Sequence, residues 1–453
     1  MAHSATITSA LRPVQVLVTS FVLMILVGTV VLMLPECHAP GHEIGFLDAL
    51  FTSTSAVCVT GLIVVDTATA WTRVGQVVIL ILLQLGGIGI VTFGALFALL
   101  LGQKISWRQR ALLKEQYGQA TFINILSIIP IVAGVTLVIE LLGAALLLPV
   151  FVPQYGTADG IWHSAFQAVS AFCNAGFSTF SDSLEQYVGN YLVNAVIGIL
   201  IIIGGLGFPV LAELMDRRGR RKRLSLHSRV VLWSSSALII VGALLLFFIQ
   251  TGYDPDFNEM PIHSRILASL FQSVTARTAG FNTVRIGMIA PASLMMLQFL
   301  MIIGGSPSGT AGGIKTTTFV ASLAAIRSVL VGQTDTKILD RRLARDVAKR
   351  ALVLVVLAVL IIAIAVICLL LTGWESSIEG KLDYFLQLSF EAVSAFGTVG
   401  LSTGITPDLT AGQRIVIIFL MLIGRLGPMT FAVALASPRV EQVKFPETNL
   451  LTG

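Results

Sequence analysis

The sequence predicts an all-α integral membrane protein. Four helix–pore-loop–helix repeats, comprising eight membrane helices and four re-entrant pore helices, surround one central pore. Three observations support this fold class. The 453-residue chain is 55% hydrophobic and only 12% charged, whereas about a quarter of the residues of a soluble protein are charged. Its apolar runs are long enough to cross a bilayer core of about 30 Å. Two short glycine-containing motifs each recur four times.

Eight apolar segments are the candidate membrane spans, and the sixth is interrupted. They cover residues 14–34, 74–101, 125–152, 189–214, 229–250, 288–331, 350–371 and 413–436. The first ends at Pro35 and is too long for the apolar core of a signal peptide, so we interpret it as a membrane helix. Within each pair of spans lies a shorter, half-polar segment that suits a re-entrant helix. These segments cover residues 46–58, 161–173, 262–276 and 382–397.

The charges predict the orientation. The links 102–124, 215–229 and 327–350 are rich in Lys and Arg. Such links lie in the cytoplasm by the positive-inside rule, which also places both termini there. The run RRGRRKR in the second link resembles a nucleic-acid-binding patch, but beside a membrane helix it favours binding to anionic lipid. We therefore expect no nucleic-acid partner.

The first recurring motif follows each half-polar segment. Its copies are SAVCVTGL (55–62), SAFCNAGF (170–177), TARTAGF (275–281) and SAFGTVGL (394–401). The third copy is one residue shorter before its glycine and carries Arg277. From this departure we expect a less symmetric pore.

The second motif lies 24 to 28 residues after the glycine of the first. Its copies are GGIG (86–89), GGLG (204–207), GGSPSG (304–309) and GRLG (424–427). Glycine is a common packing residue in membrane helices, but packing explains one such pair rather than the matched set. The motifs divide the chain into four repeats. These are 1–110 with pore loop 46–62, 111–222 with pore loop 161–177, 223–335 with pore loop 262–281 and intramembrane loop 304–318, and 336–453 with pore loop 382–401.

The extended glycine segments are the candidate ion filter. Non-helical backbone at membrane depth is tolerated only inside protein or along a watery cavity. Rings of carbonyls there can replace the hydration shell of K⁺, as four TVGYG loops do in potassium channels. The pore helices also direct their partly negative C-terminal ends at the cavity. The predicted filter residues are Val59, Thr60, Gly61, Leu62, Asn174, Ala175, Gly176, Phe177, Thr278, Ala279, Gly280, Phe281, Thr398, Val399, Gly400 and Leu401. None is acidic, which argues against a carboxylate filter for Ca²⁺ or Na⁺, and the single glycines predict less strict selectivity than TVGYG.

These motifs resemble the superfamily of Trk, Ktr and HKT potassium transporters over nearly the whole chain. The chain is most similar to the Ktr membrane subunit (KtrB), because two further N-terminal helices typical of Trk subunits are absent here. The resemblance implies K⁺ uptake across the bacterial inner (cytoplasmic) membrane, stimulated by Na⁺. It also implies a homodimer and a cytosolic ring of regulatory subunits (KtrA type). The nucleotide would be bound by that partner and not by this chain.

The polar loop 304–318 interrupts the sixth span below the filter. The resemblance implies that it is an intramembrane gate that must move for conduction. Two other interpretations fit this loop less well. GGIKTT resembles a phosphate-binding loop, but Ile314 separates glycine from lysine and no strand precedes it. A simple helix kink would not need fifteen residues. The predicted gate residues are Gly304, Gly305, Ser306, Ser308, Gly309, Thr310, Gly312, Gly313, Lys315 and Arg425.

Arg425 replaces a glycine of the second motif inside the last span. An arginine at mid-membrane costs at least about 2.5–3.5 kcal/mol, and such residues usually face cavities. We therefore predict that Arg425 lies under the filter, where it either bonds the loop carbonyls or forms an electrostatic barrier to cations. The alternative is that its side chain extends to the cytoplasmic interface.

Other protein classes fit the sequence less well. Secondary transporters normally show inverted repeats, whereas these four repeats run in the same direction. Voltage-gated channels need arginine-rich sensor helices, and none is present. The six histidines form no HExxH motif, the four cysteines match no zinc or redox spacing, and no nucleophile elbow occurs, so we expect no enzyme. A less selective monovalent cation channel and a secondary transporter of another small solute remain open.

Overall fold

The computed structural model describes residues 13–89, 125–216, 224–333, 335–339, 341–373 and 381–435. Within these ranges the chain forms sixteen α-helices and one short β-hairpin. In repeats 1 and 2 the helices are α1 (Pro13–Leu32), α2 (Phe46–Val57), α3 (Arg73–Ile88), α4 (Ile125–Tyr155), α5 (Thr157–Phe172), α6 (Tyr191–Leu206) and α7 (Phe208–Asp216). In repeat 3 they are α8 (Leu226–Tyr253), α9 (Pro255–Glu259), α10 (Ile262–Thr275), α11 (Pro291–Ile302) and α12 (Thr316–Leu330).

Repeat 4 begins with the hairpin and continues with four helices. The strands β1 (Lys337–Ile338) and β2 (Arg341–Arg342) pair antiparallel, with Lys337 opposite Arg342. The helices are α13 (Arg345–Thr372), α14 (Lys381–Gly397), α15 (Ala411–Leu426) and α16 (Pro428–Leu435). Single 3₁₀ turns occupy Pro35–Cys37, Glu185–Tyr187, Ile286–Met288 and Thr406–Asp408.

The first helix of each repeat is a full membrane span. Among the described residues, four helical segments are each long and apolar enough to cross a bilayer, namely Gln15–Leu32, Val132–Tyr155, Leu226–Tyr253 and Arg345–Thr372. Less than a third of each is buried inside the protein, as expected where lipid rather than protein covers the apolar side chains. The pore helices α2, α5, α10 and α14 follow them and are buried over their C-terminal halves.

In repeats 2, 3 and 4 the last helix is broken at the second motif, which the sequence predicted only for repeat 3; in repeat 1 the described part of this helix ends at the same motif. Gly89, Gly207 and Gly427 have φ angles of 93°, 88° and 86°, and a right-handed helix cannot continue through that conformation. After Gly207 the chain turns by 102° into α7. The predictions of 189–214 and 413–436 as single continuous spans were therefore wrong. The predicted span 74–101 is helical to Ile88, and its residues 90–101 lie outside the described ranges.

In repeats 1, 2 and 4 the first glycine of the second motif lets the last helix touch a pore helix. A Cβ atom added at Gly86, Gly204 or Gly424 would lie 2.1, 2.0 or 2.0 Å from a carbonyl oxygen at the end of the adjacent pore helix. No side chain fits in that space. In repeat 3 the corresponding Gly304 instead meets the carbonyl of Gly312, 1.9 Å from such a Cβ. The motif therefore marks a close backbone approach.

The basic links are described only in part. The link 102–124, the run RRGRRKR at 217–223 and the tail 436–453 lie outside the described residues. The link 327–350 contains the β-hairpin and an ion pair between Arg342 and Asp335 of 2.9 Å.

Candidate filter and gate

The glycines of the first motif form a closed ring. A Cβ atom added at any one of them would strike the carbonyl oxygen that precedes the glycine of the next repeat. The distances are 2.4 Å from Gly61 to Ala175, 2.9 Å from Gly176 to Ala279, 2.5 Å from Gly280 to Val399 and 2.2 Å from Gly400 to Thr60. The last contact joins repeat 4 to repeat 1. The structure thus brings all four predicted filter segments together around one axis.

The backbone of the four segments follows one pattern. The ring glycines have φ angles of 90°, 71°, 80° and 91° in chain order. The residue two positions before each also has positive φ, at Val59 (57°), Asn174 (57°), Thr278 (73°) and Thr398 (50°). For β-branched residues this conformation is a genuine outlier, costing of order 1–3 kcal/mol each. Strain at the same place in four copies indicates a local geometry held in common.

The ring carbonyls have no protein donor. Among the described residues, no N–H or O–H group donates to the carbonyl oxygens of Thr60, Ala175, Ala279 or Val399. All four residues are completely buried. Buried backbone carbonyls without a partner are uncommon in proteins. These four oxygens are therefore available to a dehydrated cation.

The third segment is one residue shorter, as the sequence predicted. In the other three repeats, the N–H before the ring glycine bonds a carbonyl five residues back, as from Thr60 to Ser55 at 2.8 Å. In repeat 3 the bond from Ala279 reaches back only four residues, to Thr275 at 2.9 Å. Gly280 nevertheless takes its place in the ring. The shortening is absorbed at the end of the pore helix and does not open the ring.

The residues after the ring glycines line a vestibule of about 570 Å³. All four ring glycines form its floor, and Asp182, Glu185 and Arg285 lie on its wall. The Glu185 carboxylate accepts hydrogen bonds from Asn282 Nδ2 at 2.9 Å and Arg285 Nε at 3.3 Å. Burial raises the pKa of the Glu185 carboxyl, and the bond from Arg285 opposes this shift.

The intramembrane loop occupies residues 303–315. The predicted boundary at 318 was wrong, because α12 begins at Thr316. The two ends of the loop pair with each other, through Gly304 N to Ile314 O at 2.9 Å and Ile314 N to Ile302 O at 3.2 Å. The loop therefore leaves and rejoins the span at nearly the same level.

The loop lies on the side of the ring opposite the vestibule, against repeats 2 and 4. Thr310 donates from its N–H to Gly204 O at 3.2 Å and from its hydroxyl to Phe172 O at 3.3 Å. A Cβ at Gly312 would lie 2.0 Å from the Thr398 hydroxyl. Other loop contacts include Ser306 N to Gly205 O, Phe208 N to Ser308 O, and close approaches of Gly305 and Gly309 to the carbonyls of Gly205 and Gly204. The loop thus fills the space between α6 and the filter.

Arg425 joins this loop to a third repeat. Its Nη1 donates to the carbonyl of Thr310, and its Nη2 donates to the carbonyl of Gly86 in α3. The side chain therefore points to the loop, as one of the two sequence-based interpretations predicted. It does not extend toward an interface, so that alternative was wrong.

Two further cationic side chains reach the loop. Arg277 Nη2 donates to Gly304 O at 3.3 Å, and Lys315 Nζ donates to Ala311 O at 2.6 Å. The sequence shows Arg277 as a departure from the repeat but does not connect it with the loop. The difference is visible in the sequence, because the other three copies have Cys or Gly at the position that Arg277 occupies, immediately before the residue with positive φ. This difference in sequence does not indicate which part of the fold the arginine contacts.

Comparison with known proteins gives the family. The chain matches the family described as TrkH, cation transport protein, over residues 2–443. This chain belongs to the TrkH family. Among its TrkH-type relatives, the Ktr system potassium uptake protein B of Bacillus subtilis is 39% identical over 97% of both chains. The potassium/sodium uptake protein NtpJ of Enterococcus hirae is 38% identical over 98% of both.

A solved structure supports the fold. The potassium transporter TrkH from Vibrio parahaemolyticus superimposes with a TM-score of 0.73 at 18% identity, covering 96% of this chain and 87% of that one. At this identity the likeness shows the fold alone. The TrkH family and the apolar spans together make this chain a membrane protein of a cation transport family.

Proposed function

We propose that this chain mediates K⁺ uptake across the bacterial inner membrane, as a multi-pass protein with both termini in the cytoplasm. The observation that carries this proposal is the closed ring of four glycines with unpaired, buried carbonyls. A ring of carbonyls suits a weakly hydrated monovalent cation. The names of its relatives point the same way, since two Ktr system potassium uptake proteins B are 39% and 35% identical to it.

In this proposal K⁺ collects in the vestibule, loses water and binds at the ring carbonyls. The residues from Val59 to Leu62 and their counterparts in the other three repeats form the filter. Glycine is required at the ring because each φ is positive and each neighbouring carbonyl leaves no room for a Cβ. One ring glycine per repeat offers fewer complete ion sites than a longer filter does.

The loop 303–315 is the gate, and the arrangement described above is its closed form. Three cationic side chains lie beneath the filter and donate to loop carbonyls. Arg277 and Arg425 hold the loop against neighbouring segments, Lys315 bonds within the loop, and all three charges repel an approaching cation. Conduction requires that the bond from Arg425 to Thr310 breaks and that the loop leaves the pathway.

Regulation comes from other polypeptides and ions. We propose a homodimer controlled by a cytosolic ring of nucleotide-binding subunits of the KtrA type, with uptake stimulated by Na⁺. The nucleotide binds the ring and not this chain, and anionic lipids bind the basic cytoplasmic links. The support is the near full-length similarity to proteins named as members of the Ktr system.

A less selective uptake of K⁺ and Na⁺ is the second candidate function. The relative that favours it is named a potassium/sodium uptake protein and is 38% identical to this chain. The two functions differ in the ratio of Rb⁺ to Na⁺ that the ring accepts.

The test is ⁸⁶Rb⁺ and ²²Na⁺ uptake into a bacterial strain deficient in K⁺ uptake that expresses this chain. Four samples are compared: wild type, wild type with a KtrA-type ring, Gly400→Ser, and a variant with the loop 303–315 shortened. We expect Rb⁺-selective uptake that the shortened loop increases and Gly400→Ser makes less selective. If the protein is present in the membrane but no Rb⁺ is taken up, either with or without the KtrA-type subunits, the proposal is rejected. Equal uptake of both ions would favour the second candidate.

A further inference from the structure

A buried carboxylate lies behind the filter in repeat 4. Glu391, in the pore helix α14, has no solvent exposure. Its two oxygens accept hydrogen bonds from the Ser402 hydroxyl at 2.6 Å, the Thr403 N–H at 3.2 Å and the Thr406 hydroxyl at 2.9 Å. Within the described residues, no Lys, Arg or His forms an ion pair with it. A buried acid without a counter-ion is costly and calls for an explanation.

The carboxylate is separated from the vestibule by a single hydrogen bond. Ser402, Thr403 and Thr406 all line the vestibule, and Ser402 follows the ring residue Gly400 by two positions. A charge on Glu391 is therefore close to the mouth of the filter without being exposed to it. Because protein rather than water surrounds the group, salt screens its field less than that of a surface carboxylate.

The repeats provide an internal comparison for Glu391. The residue nine positions before the ring glycine is Thr52 in repeat 1, Gln167 in repeat 2 and Glu391 in repeat 4. In repeat 3, which is one residue shorter, the counterpart is Gln272, eight positions before Gly280. All four side chains are buried. Three of the repeats thus place a neutral polar group where repeat 4 has an acid.

Repeat 2 shows that the hydrogen-bonding role does not require the charge. Gln167 Nε2 donates to the hydroxyl of Ser178 at 2.7 Å. Ser178 follows Gly176 by two positions, as Ser402 follows Gly400. An amide therefore holds the segment after the ring glycine in repeat 2, just as the carboxylate does in repeat 4. What Glu391 adds is negative charge.

We propose that Glu391 is a positioning and affinity-determining residue: its three hydrogen-bond donors favour the ionised carboxylate, and this negative charge behind the vestibule wall strengthens the binding of monovalent cations at the filter mouth. The inference rests on the proposed function of cation uptake. Charges about 10 Å apart interact appreciably where the effective dielectric constant is about 20, and a field focused into a cleft raises the local concentration of cations. The ring carbonyls provide selectivity, and Glu391 provides affinity.

The experiment moves the charge between repeats 4 and 2. Initial rates of ⁸⁶Rb⁺ uptake are measured against Rb⁺ concentration for wild type, Glu391→Gln, Gln167→Glu and the double variant. We expect Glu391→Gln to raise the apparent KM about three- to tenfold with little change in maximal rate. Gln167→Glu should lower the KM, and the double variant should restore it to near the wild-type value. Asp256→Asn, which removes an exposed carboxylate away from the vestibule, should leave the KM unchanged.

The outcomes separate charge from structure. If Glu391 only supports the fold, Glu391→Gln lowers the maximal rate or the amount of folded protein, and a carboxylate in repeat 2 does not rescue it. That result, or an unchanged KM in Glu391→Gln, would overturn the inference. Size-exclusion chromatography shows whether Glu391→Gln folds. If it does not, the KM of Gln167→Glu tests the inference by itself, because that variant retains Glu391. An unchanged KM there would also refute the inference. Absence of Rb⁺ uptake by the wild type would refute the proposed function instead.

Discussion

Gly400 in repeat 4 lies against the carbonyl oxygen of Thr60 in repeat 1, with only 2.2 Å between that oxygen and the position of an added Cβ. This contact joins the end of the chain to its beginning and closes the glycine ring. The remaining three contacts connect consecutive repeats. A single chain therefore builds the four-fold arrangement that a tetrameric channel assembles from four subunits.

Gly400→Ser should degrade ion selectivity. The added side chain meets the Thr60 carbonyl and must also adopt a φ of 91°. We expect discrimination of Rb⁺ over Na⁺ to fall about tenfold, because a distortion of about 1.4 kcal/mol changes a binding ratio by that factor. Inhibition of ⁸⁶Rb⁺ uptake by increasing concentrations of Na⁺ measures this discrimination. Gly404→Ala is the matched control, since Gly404 has a φ of 98° but no atom within 4 Å of an added Cβ. Equal selectivity in both variants would contradict the proposed role of the glycine ring in ion selectivity.

Gly204→Ala should destabilise the protein. Its Cβ would lie 2.0 Å from the Phe172 carbonyl, so α6 and the pore helix α5 must separate. Overpacking of this kind costs about 1–3 kcal/mol. Thermal unfolding in detergent should show a lower Tm than for the wild type. Gly198→Ala, in the same helix with open space around the added Cβ, should have little effect. A Tm for Gly204→Ala as high as that of Gly198→Ala would disprove the close approach.

Arg425→Ala should increase Rb⁺ uptake in the absence of KtrA-type subunits. The change removes the hydrogen bonds to Thr310 and Gly86. A hydrogen bond to a charged group contributes about 1.5–3 kcal/mol, so loss of the bond to Thr310 alone should raise the open fraction at least about tenfold. Initial rates of ⁸⁶Rb⁺ uptake, normalised to protein in the membrane, measure the effect. Arg350→Gln, at an exposed arginine of α13, is the control. An uptake rate for Arg425→Ala that is equal to or lower than that of the wild type would argue against the gate.

Apparent affinity for Rb⁺ should weaken as the external pH falls. Burial raises the pKa of Glu185, so this carboxyl takes up a proton at a higher pH than a free glutamate, whose pKa is about 4.3. Protonation removes negative charge from the vestibule and therefore raises the KM for Rb⁺. In Glu185→Gln the charge is absent at every pH, so its KM should start higher and vary less with pH. Parallel pH profiles for the two proteins would show that Glu185 does not contribute.

The four glycine segments that meet in the ring were predictable from the sequence. Glycine recurs where the backbone requires positive φ or leaves no room for a side chain, and both requirements act on single residues. They therefore appear as fixed letters at regular spacing, as at Gly61 and Gly86 and their counterparts. Even the shortened third segment was visible, because the deletion changes the spacing itself.

The breaks after Gly207 and Gly427 were missed for a physical reason. A glycine within an apolar run is compatible with both a continuous helix and a broken one, since its propensity lowers helix stability by only about 1 kcal/mol. At Gly207 the tertiary structure made the choice: the Pro307 carbonyl of the loop lies 2.5 Å from the position of an added Cβ, and Phe208 N donates to Ser308 O.

The sequence by itself determined a membrane protein with recurring glycine motifs, the glycines of its ring and the polar loop in its sixth span. The tertiary structure decided which groups meet. Arg425 bonds Thr310 and Gly86 across 115 and 339 positions of the chain, and Gly400 closes on Thr60. Composition and spacing report on the local backbone and on contact with lipid. Contacts between distant segments depend on how the four repeats fit around a common axis, and no residue pattern along the chain encodes that fit directly.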